Sequence, residues 1–181
     1  MSFARTLLKW AGWSVNITVP DYPKCIICVA PHTSNYDFII GKLAYASVGR
    51  KAGFLMKSTW FFPPLGWIFK SIGGIPVYRG KGTSLVSTLI KKFDESSRLN
   101  IAITPEGTRS RTKEWRTGFL RIATGANVPI VLGVLDFGTK SVSITTTFKP
   151  TGDIEADMRS IKNFYKASGA KGKYPGKFDA D

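Results

Sequence analysis

A chain of 181 residues is the size of one domain with a substantial core. Its hydrophobic fraction of 43% belongs to a globular rather than a disordered chain. The 26 Lys and Arg against 12 Asp and Glu leave 26 − 12 = +14, which draws nucleic acid, phospholipid headgroups or a phosphorylated substrate or carrier. No apolar run approaches the roughly 20 residues that span a bilayer. Arg5 and Lys9 interrupt the first apolar run, so no signal peptide is expected. Two cysteines cannot define a disulfide scaffold, which makes a reducing, cytosolic setting the default.

Residues 3–13 read as a short amphipathic helix, with Phe3, Leu7, Trp10 and Ala11 on one side and Arg5 and Lys9 on the other. Strand-like runs follow at 25–30, 53–57, 75–79, 100–104, 129–135 and 141–148. Helical patterns fall between them at about 35–48, 64–72, 83–97 and 116–126, and 153–165 reads as a closing helix. Strands alternating with helices predict a single α/β domain with a mostly parallel sheet flanked by helices. The last two strands, joined around Gly138-Thr139-Lys140, read as a hairpin and make the sheet mixed. The expected organisation is an amphipathic N-terminal segment (1–20), a main domain (21–166) and a flexible basic tail (167–181), the last rich in Gly and Lys. Cys25 and Cys28 lie three apart on a strand, pointing to opposite faces, and read as core cysteines rather than a metal or disulfide pair.

His32, the only histidine, sits in Pro31-His32-Thr33-Ser34-Asn35-Tyr36-Asp37, just past the first long strand. Imidazole is the side chain best suited to take a proton near neutral pH, and a carboxylate that fixes its tautomer makes it a better base. Five residues of continuous helix turn through about 500°, so His32 and Asp37 meet only if the chain bends between them. Thr33, Ser34 and Asn35 are good cap residues and supply such a bend, with a helix starting near Asn35 and Asp37 in its first turn. Ser34-x-x-Asp37 ahead of Phe38-Ile39-Ile40 also reads as a capping box, in which Asp37 serves the helix.

A second constellation follows the strand at 100–104: Thr104-Pro105-Glu106-Gly107-Thr108-Arg109-Ser110-Arg111. Strand ends are where α/β proteins place ligands. Gly107 permits close backbone approach, the arginines offer forks for phosphate, and Thr108 and Ser110 offer hydroxyls. Glu106 is an acid in an otherwise anion-binding loop, placed to orient an acceptor hydroxyl or the arginines. Gly73-Gly74-Ile75-Pro76-Val77-Tyr78-Arg79-Gly80-Lys81 reads as another strand ending in basic residues.

Together these segments resemble the glycerolipid acyltransferase family, typified by bacterial 1-acylglycerol-3-phosphate acyltransferases. Its four blocks occur here in order as His32–Asp37, Gly73–Arg79, Pro105–Ser110 and Val128-Pro129-Ile130-Val131, and Trp60-Phe61-Phe62-Pro63-Pro64-Leu65-Gly66-Trp67 resembles its apolar stretch before the second block. The resemblance covers roughly residues 25–137. Pro31 stands where the family usually has Asn, and Thr104 where its third block often begins with Phe. The resemblance implies that His32, oriented by Asp37, is a general base. It removes the proton from an acceptor hydroxyl, which attacks an acyl thioester carried by CoA or acyl carrier protein. It also implies that Arg79 and Arg109 hold the acceptor's phosphate, with Glu106, Gly107 and Thr108 shaping its site, and that no metal or cofactor is required.

The expected partners are therefore a lipid acceptor such as a lysophospholipid, the acyl donor and a membrane surface. The N-terminal helix with Trp10 and Trp13, and the stretch from Trp60 to Phe69, suit a bilayer interface, which predicts peripheral association with the inner face of the membrane. One alternative keeps the dyad and changes the acceptor to an amino-acid lipid or another lysolipid. A remote one, a basic nucleic-acid-binding module, meets no recognisable binding motif and a charge spread along the whole chain. A covalent acyl-enzyme through Ser34, Cys25 or Cys28 is disfavoured, because Ser34 reads as a cap and the cysteines as core.

Overall fold

The structure is a computed structural model and describes residues 2–78 and 84–181. In chain order the elements are α1 (Phe3–Trp10), β1 (Ser14–Ile17), β2 (Lys24–Ala30), α2 (Tyr36–Ser47), β3 (Gly53–Lys57), α3 (Leu65–Ser71), β4 (Gly74–Val77), α4 (Leu85–Glu95), β5 (Leu99–Ile103), α5 (Gly118–Gly125), β6 (Ile130–Asp136), β7 (Ser141–Phe148) and α6 (Ile154–Ser168). Short 3₁₀ turns occupy Ser58–Trp60 and Pro175–Lys177. The strands form one seven-stranded sheet in the order β1-β7-β6-β2-β5-β3-β4. Among the described residues only the β6–β7 hairpin is antiparallel. The mixed, mostly parallel α/β architecture is the one the alternating pattern predicts. β1 is the strand that pattern does not reveal: four residues pairing at the sheet edge with β7, Ser14 opposite Ser141.

β2 runs through the middle of the sheet and is buried on both sides, as a central parallel strand must be. Ile26, Cys28 and Ala30 face one layer, with Leu89 and Phe93 of α4, Phe119, Leu120, Ile122 and Ala123 of α5, and Ile161 and Tyr165 of α6. Cys25 and Ile27 face the other, with Tyr45 of α2, Val131 and Ile144. The two cysteines thus lie on opposite faces as free thiols. Burial pushes both up to about 12, which keeps them protonated and poor nucleophiles. The Tyr165 hydroxyl, fully buried, donates to the Cys28 carbonyl at 2.6 Å and ties α6 to the central strand.

α1 lies on α2 and leaves its Phe3, Leu7 and Trp10 side outward. Ala4 and Leu8 are its buried residues, and Leu8, 2% exposed, packs with Ala44, Leu135 and Val142. Phe3 and Trp10 stand 82% and 87% exposed, and Leu7 is exposed beside them. Trp13 is packed instead, edge-on to Phe137 with ring centroids 4.9 Å apart. Trp60, Phe62, Trp67, Ile68 and Ile72 are also at the surface, so most of the large residues in that apolar stretch are not core.

The segment after α6 differs from the mobile tail its composition predicts. Gly172 and Asp179 are buried, and Phe178 packs near Trp115. Glycine and lysine content describes a chain that need not fold, whereas a few anchoring residues are enough to dock it.

Candidate active site

Adjacent parallel strands place their following loops side by side, and β2 and β5 are such neighbours, with Cys28 opposite Ile103. The loop after β2 carries His32 and the loop after β5 carries Glu106. They meet directly: the His32 amide donates to Glu106 Oε1 at 2.7 Å. The two constellations, 74 residues apart in the chain, are one site.

α2 starts at Tyr36, leaving His32 in the loop and Asp37 in the first turn. Asp37 Oδ2 lies 3.1 Å from His32 Nδ1 and accepts the Thr33 amide at 2.6 Å and the Ser34 amide at 2.8 Å. Its Oδ1 accepts the Ser34 hydroxyl at 2.5 Å. Burial alone raises this carboxyl, but the hydrogen bonds from His32, Ser34 and Thr33 outweigh it and hold Asp37 below the ordinary carboxylate range. An ionised carboxylate can only accept, so Nδ1 carries a proton; in the neutral ring that leaves the lone pair on Nε2. The capping and orienting arrangements coexist: the carboxylate that gathers the turn also holds the ring. Ser34, buried with its hydroxyl committed to Asp37, is poorly placed to be a nucleophile.

Glu106 lies beneath the loop rather than at its surface. It is 2% exposed, and among the described residues its Oε2 has no hydrogen-bond partner. Burial, reinforced by the nearby Asp37 charge and opposed by the His32 amide bond, pushes its carboxyl up to about 8. It supports the backbone of His32. Gly107 completes the turn with φ of +64°, a conformation that favours glycine, and a Cβ there would fall 2.9 Å from Arg116 Cγ and displace that side chain. Arg109 reaches back to the Asn35 side-chain oxygen at the start of α2, a second tie between the two loops. Thr108, Arg109 and Ser110 line a cavity of about 420 Å³ together with residues Thr33 to Tyr36. The fourth block enters β6 beside β2, where the Pro129 carbonyl accepts the Ile26 amide at 3.0 Å. β4 of the second block is the edge strand beside β3, and Arg79 beyond it lies outside the described residues.

A family model described as Acyltransferase matches residues 16–132, more than half of the chain. The protein belongs to the acyltransferase family. No curated protein matches it. The matched span contains all of the site residues described so far, and this acyltransferase transfers an acyl group. Beyond the span lie β7, α6 and the C-terminal segment, and the last of these also reaches the site. The Tyr174 amide donates to Thr33 Oγ1 at 3.2 Å, and Tyr174 and Lys177 line the same cavity as Arg109. Motif spacing carries no signal for these two residues, nor for Thr33 and Asn35 as partners of distant segments. In the acyltransferase no three His, Cys, Asp or Glu side chains among the described residues converge as metal ligands do.

Proposed function

We propose that the protein moves a fatty acyl group from an acyl thioester, acyl-CoA or acyl carrier protein, to the hydroxyl of a lysophospholipid such as 1-acylglycerol-3-phosphate, in phospholipid biosynthesis. The observation that carries this reading is the His32 Nδ1–Asp37 Oδ2 contact of 3.1 Å, which leaves Nε2 as the base. His32 Nε2 takes the acceptor's hydroxyl proton as the oxygen attacks the thioester carbonyl. The tetrahedral intermediate collapses, the C–S bond breaks, and the thiolate recovers the proton from the imidazolium. Asp37 steadies that imidazolium without itself taking the proton. Arg109, with Thr108 beside it, suits the acceptor's phosphate as a charge-assisted donor, and Arg79 is proposed for the same phosphate by family resemblance.

The work takes place at a membrane surface. No helix among the described residues is long and apolar enough to cross a bilayer. Attachment is proposed through exposed Phe3, Leu7 and Trp10 of α1 and the surface aromatics from Trp60 to Trp67, aided by the +14 charge near anionic lipid.

The test is a transfer assay with purified protein, acyl-CoA and acyl carrier protein as donors, and a panel of acceptors. Ester formation on 1-acylglycerol-3-phosphate in preference to unphosphorylated acceptors is expected. Preference for an amino-acid lipid would move the acceptor class, and no transfer from either thioester would overturn the reading.

A further inference from the structure

The C-terminal segment is fastened on both sides of the site. At its start the Lys171 carbonyl accepts the Phe137 amide at 2.8 Å, and the Lys171 amide donates to Asp136 Oδ1 at 2.9 Å, at the end of β6. Gly172 then lies against the loop that carries His32: a Cβ there would fall 2.5 Å from Thr33 Cγ2 and 2.6 Å from Thr33 Oγ1. Only glycine allows so close a crossing. At its far end Asp179, 5% exposed, accepts from Arg111 Nε at 3.1 Å, and its carbonyl accepts from Trp115 Nε1 at 3.0 Å. The segment is a strap, tied to β6, to Thr33 and to the residues following Arg109.

Between these ties the strap walls the 420 Å³ cavity, and its contribution there is cationic. Lys177 lines it together with Arg109, Thr108 and Ser110, and no carboxylate among the described residues does. Arg111 has its charge committed to Asp179. Arg109 differs: among the described residues its partner is the neutral Asn35 side chain, and Lys177 rests 4.8 Å from the Tyr174 ring. Two cations without carboxylate partners and two hydroxyls, arranged around one cavity, match a phosphomonoester dianion.

We propose that Lys177, held in place by the C-terminal strap, binds a substrate phosphomonoester together with Arg109, which makes residues 171–179 one wall of the acyltransferase site. This rests on the acyl-transfer reading for what the substrate is, but not for the binding itself. The phosphate belongs either to the acceptor's headgroup or to the nucleotide of a CoA donor.

Calorimetric titration of the full chain with glycerol 3-phosphate and, separately, with coenzyme A tests it without turnover. Wild type, Lys177→Ala, Lys177→Arg and Lys149→Ala are compared. Lys149 follows β7 at the opposite end of the sheet and reports generic attraction to the basic surface. Lys177→Ala is expected to weaken one probe about tenfold or more, the effect of losing one charge-assisted hydrogen bond. Lys177→Arg should restore part of that loss, and Lys149→Ala should leave it unchanged. A loss confined to glycerol 3-phosphate assigns the acceptor headgroup, and one confined to coenzyme A assigns the donor. The proposal is overturned if neither probe binds the wild type, or if Lys177→Ala binds both as Lys149→Ala does. Failure of acyl transfer with phosphate binding intact would instead remove the proposed function and leave the phosphate site standing.

Discussion

Four donors converge on the Asp37 carboxylate: His32 Nδ1, the Thr33 and Ser34 amides and the Ser34 hydroxyl. Asparagine at this position would turn one of its oxygens into a donor facing donors. Asp37→Asn is therefore expected to lower kcat by on the order of 10²–10⁴-fold and also to cost about 1–3 kcal/mol of stability. Urea midpoints read the second effect, and an unchanged midpoint would show that the turn does not lean on the carboxylate. Because the folded value of Asp37 is depressed, its stabilisation is complete above the ordinary carboxyl range and is lost as pH falls through the folded value. Glu106 has the opposite sign. Burial first, with Asp37 adding, lifts it to about 8. Between about pH 4.3, where an unperturbed Glu ionises, and that value the unfolded chain releases the proton before the folded one. Glu106 therefore erodes stability as pH rises through this window. Glu106→Gln keeps an oxygen for the His32 amide and removes the titration. Its stability relative to wild type should be greater at pH 8 than at pH 5, and equal differences at the two pH values would sink the assignment of a neutral Glu106.

At the scale of elements, α1 shows how a helix can be legible while its packing is not. Periodicity located the helix and put Phe3, Leu7 and Trp10 on one face, but it cannot say which face the rest of the chain covers. Small Ala4 and Leu8 let α1 approach α2, and the bulkier row is left outward. If that row meets lipid, Phe3→Ser with Trp10→Ser should reduce flotation with anionic vesicles by about tenfold or more, since each large apolar side chain contributes about 1.5–3 kcal/mol on burial. Thermal stability should hardly move, because neither side chain is buried in the protein. Undiminished flotation would place the membrane contact elsewhere. β1 and the strap escaped the sequence for different reasons. Ser14–Ile17 is too short to show a pattern, and it exists because β7 offers an edge to pair with. The strap is held by single residues, Gly172 and Asp179, whose partners Thr33 and Arg111 lie more than sixty positions away.

Across the whole molecule, the central position of β2 makes the site. It carries β5 on one side and β6 on the other, so its C-terminal end opens beside the loop that brings Glu106 and Arg109. The alternation of strands and helices was legible from the sequence, and the strand order was not, because register depends on contacts between segments far apart in the chain. The ordered blocks identified His32, Asp37, Glu106 and Arg109 as candidates. The fold adds that Glu106 sits beneath the histidine's backbone, that Arg109 spans the two loops, and that the C-terminus closes one side. The proposed base is His32 Nε2, and its most direct test is kcat for the His32→Ala variant with a thioester donor and a lysophospholipid acceptor, alongside its urea midpoint. General-base catalysis predicts a fall in kcat of on the order of 10²–10⁴-fold with the fold intact, whereas a properly folded variant turning over within a few-fold of wild type would contradict it.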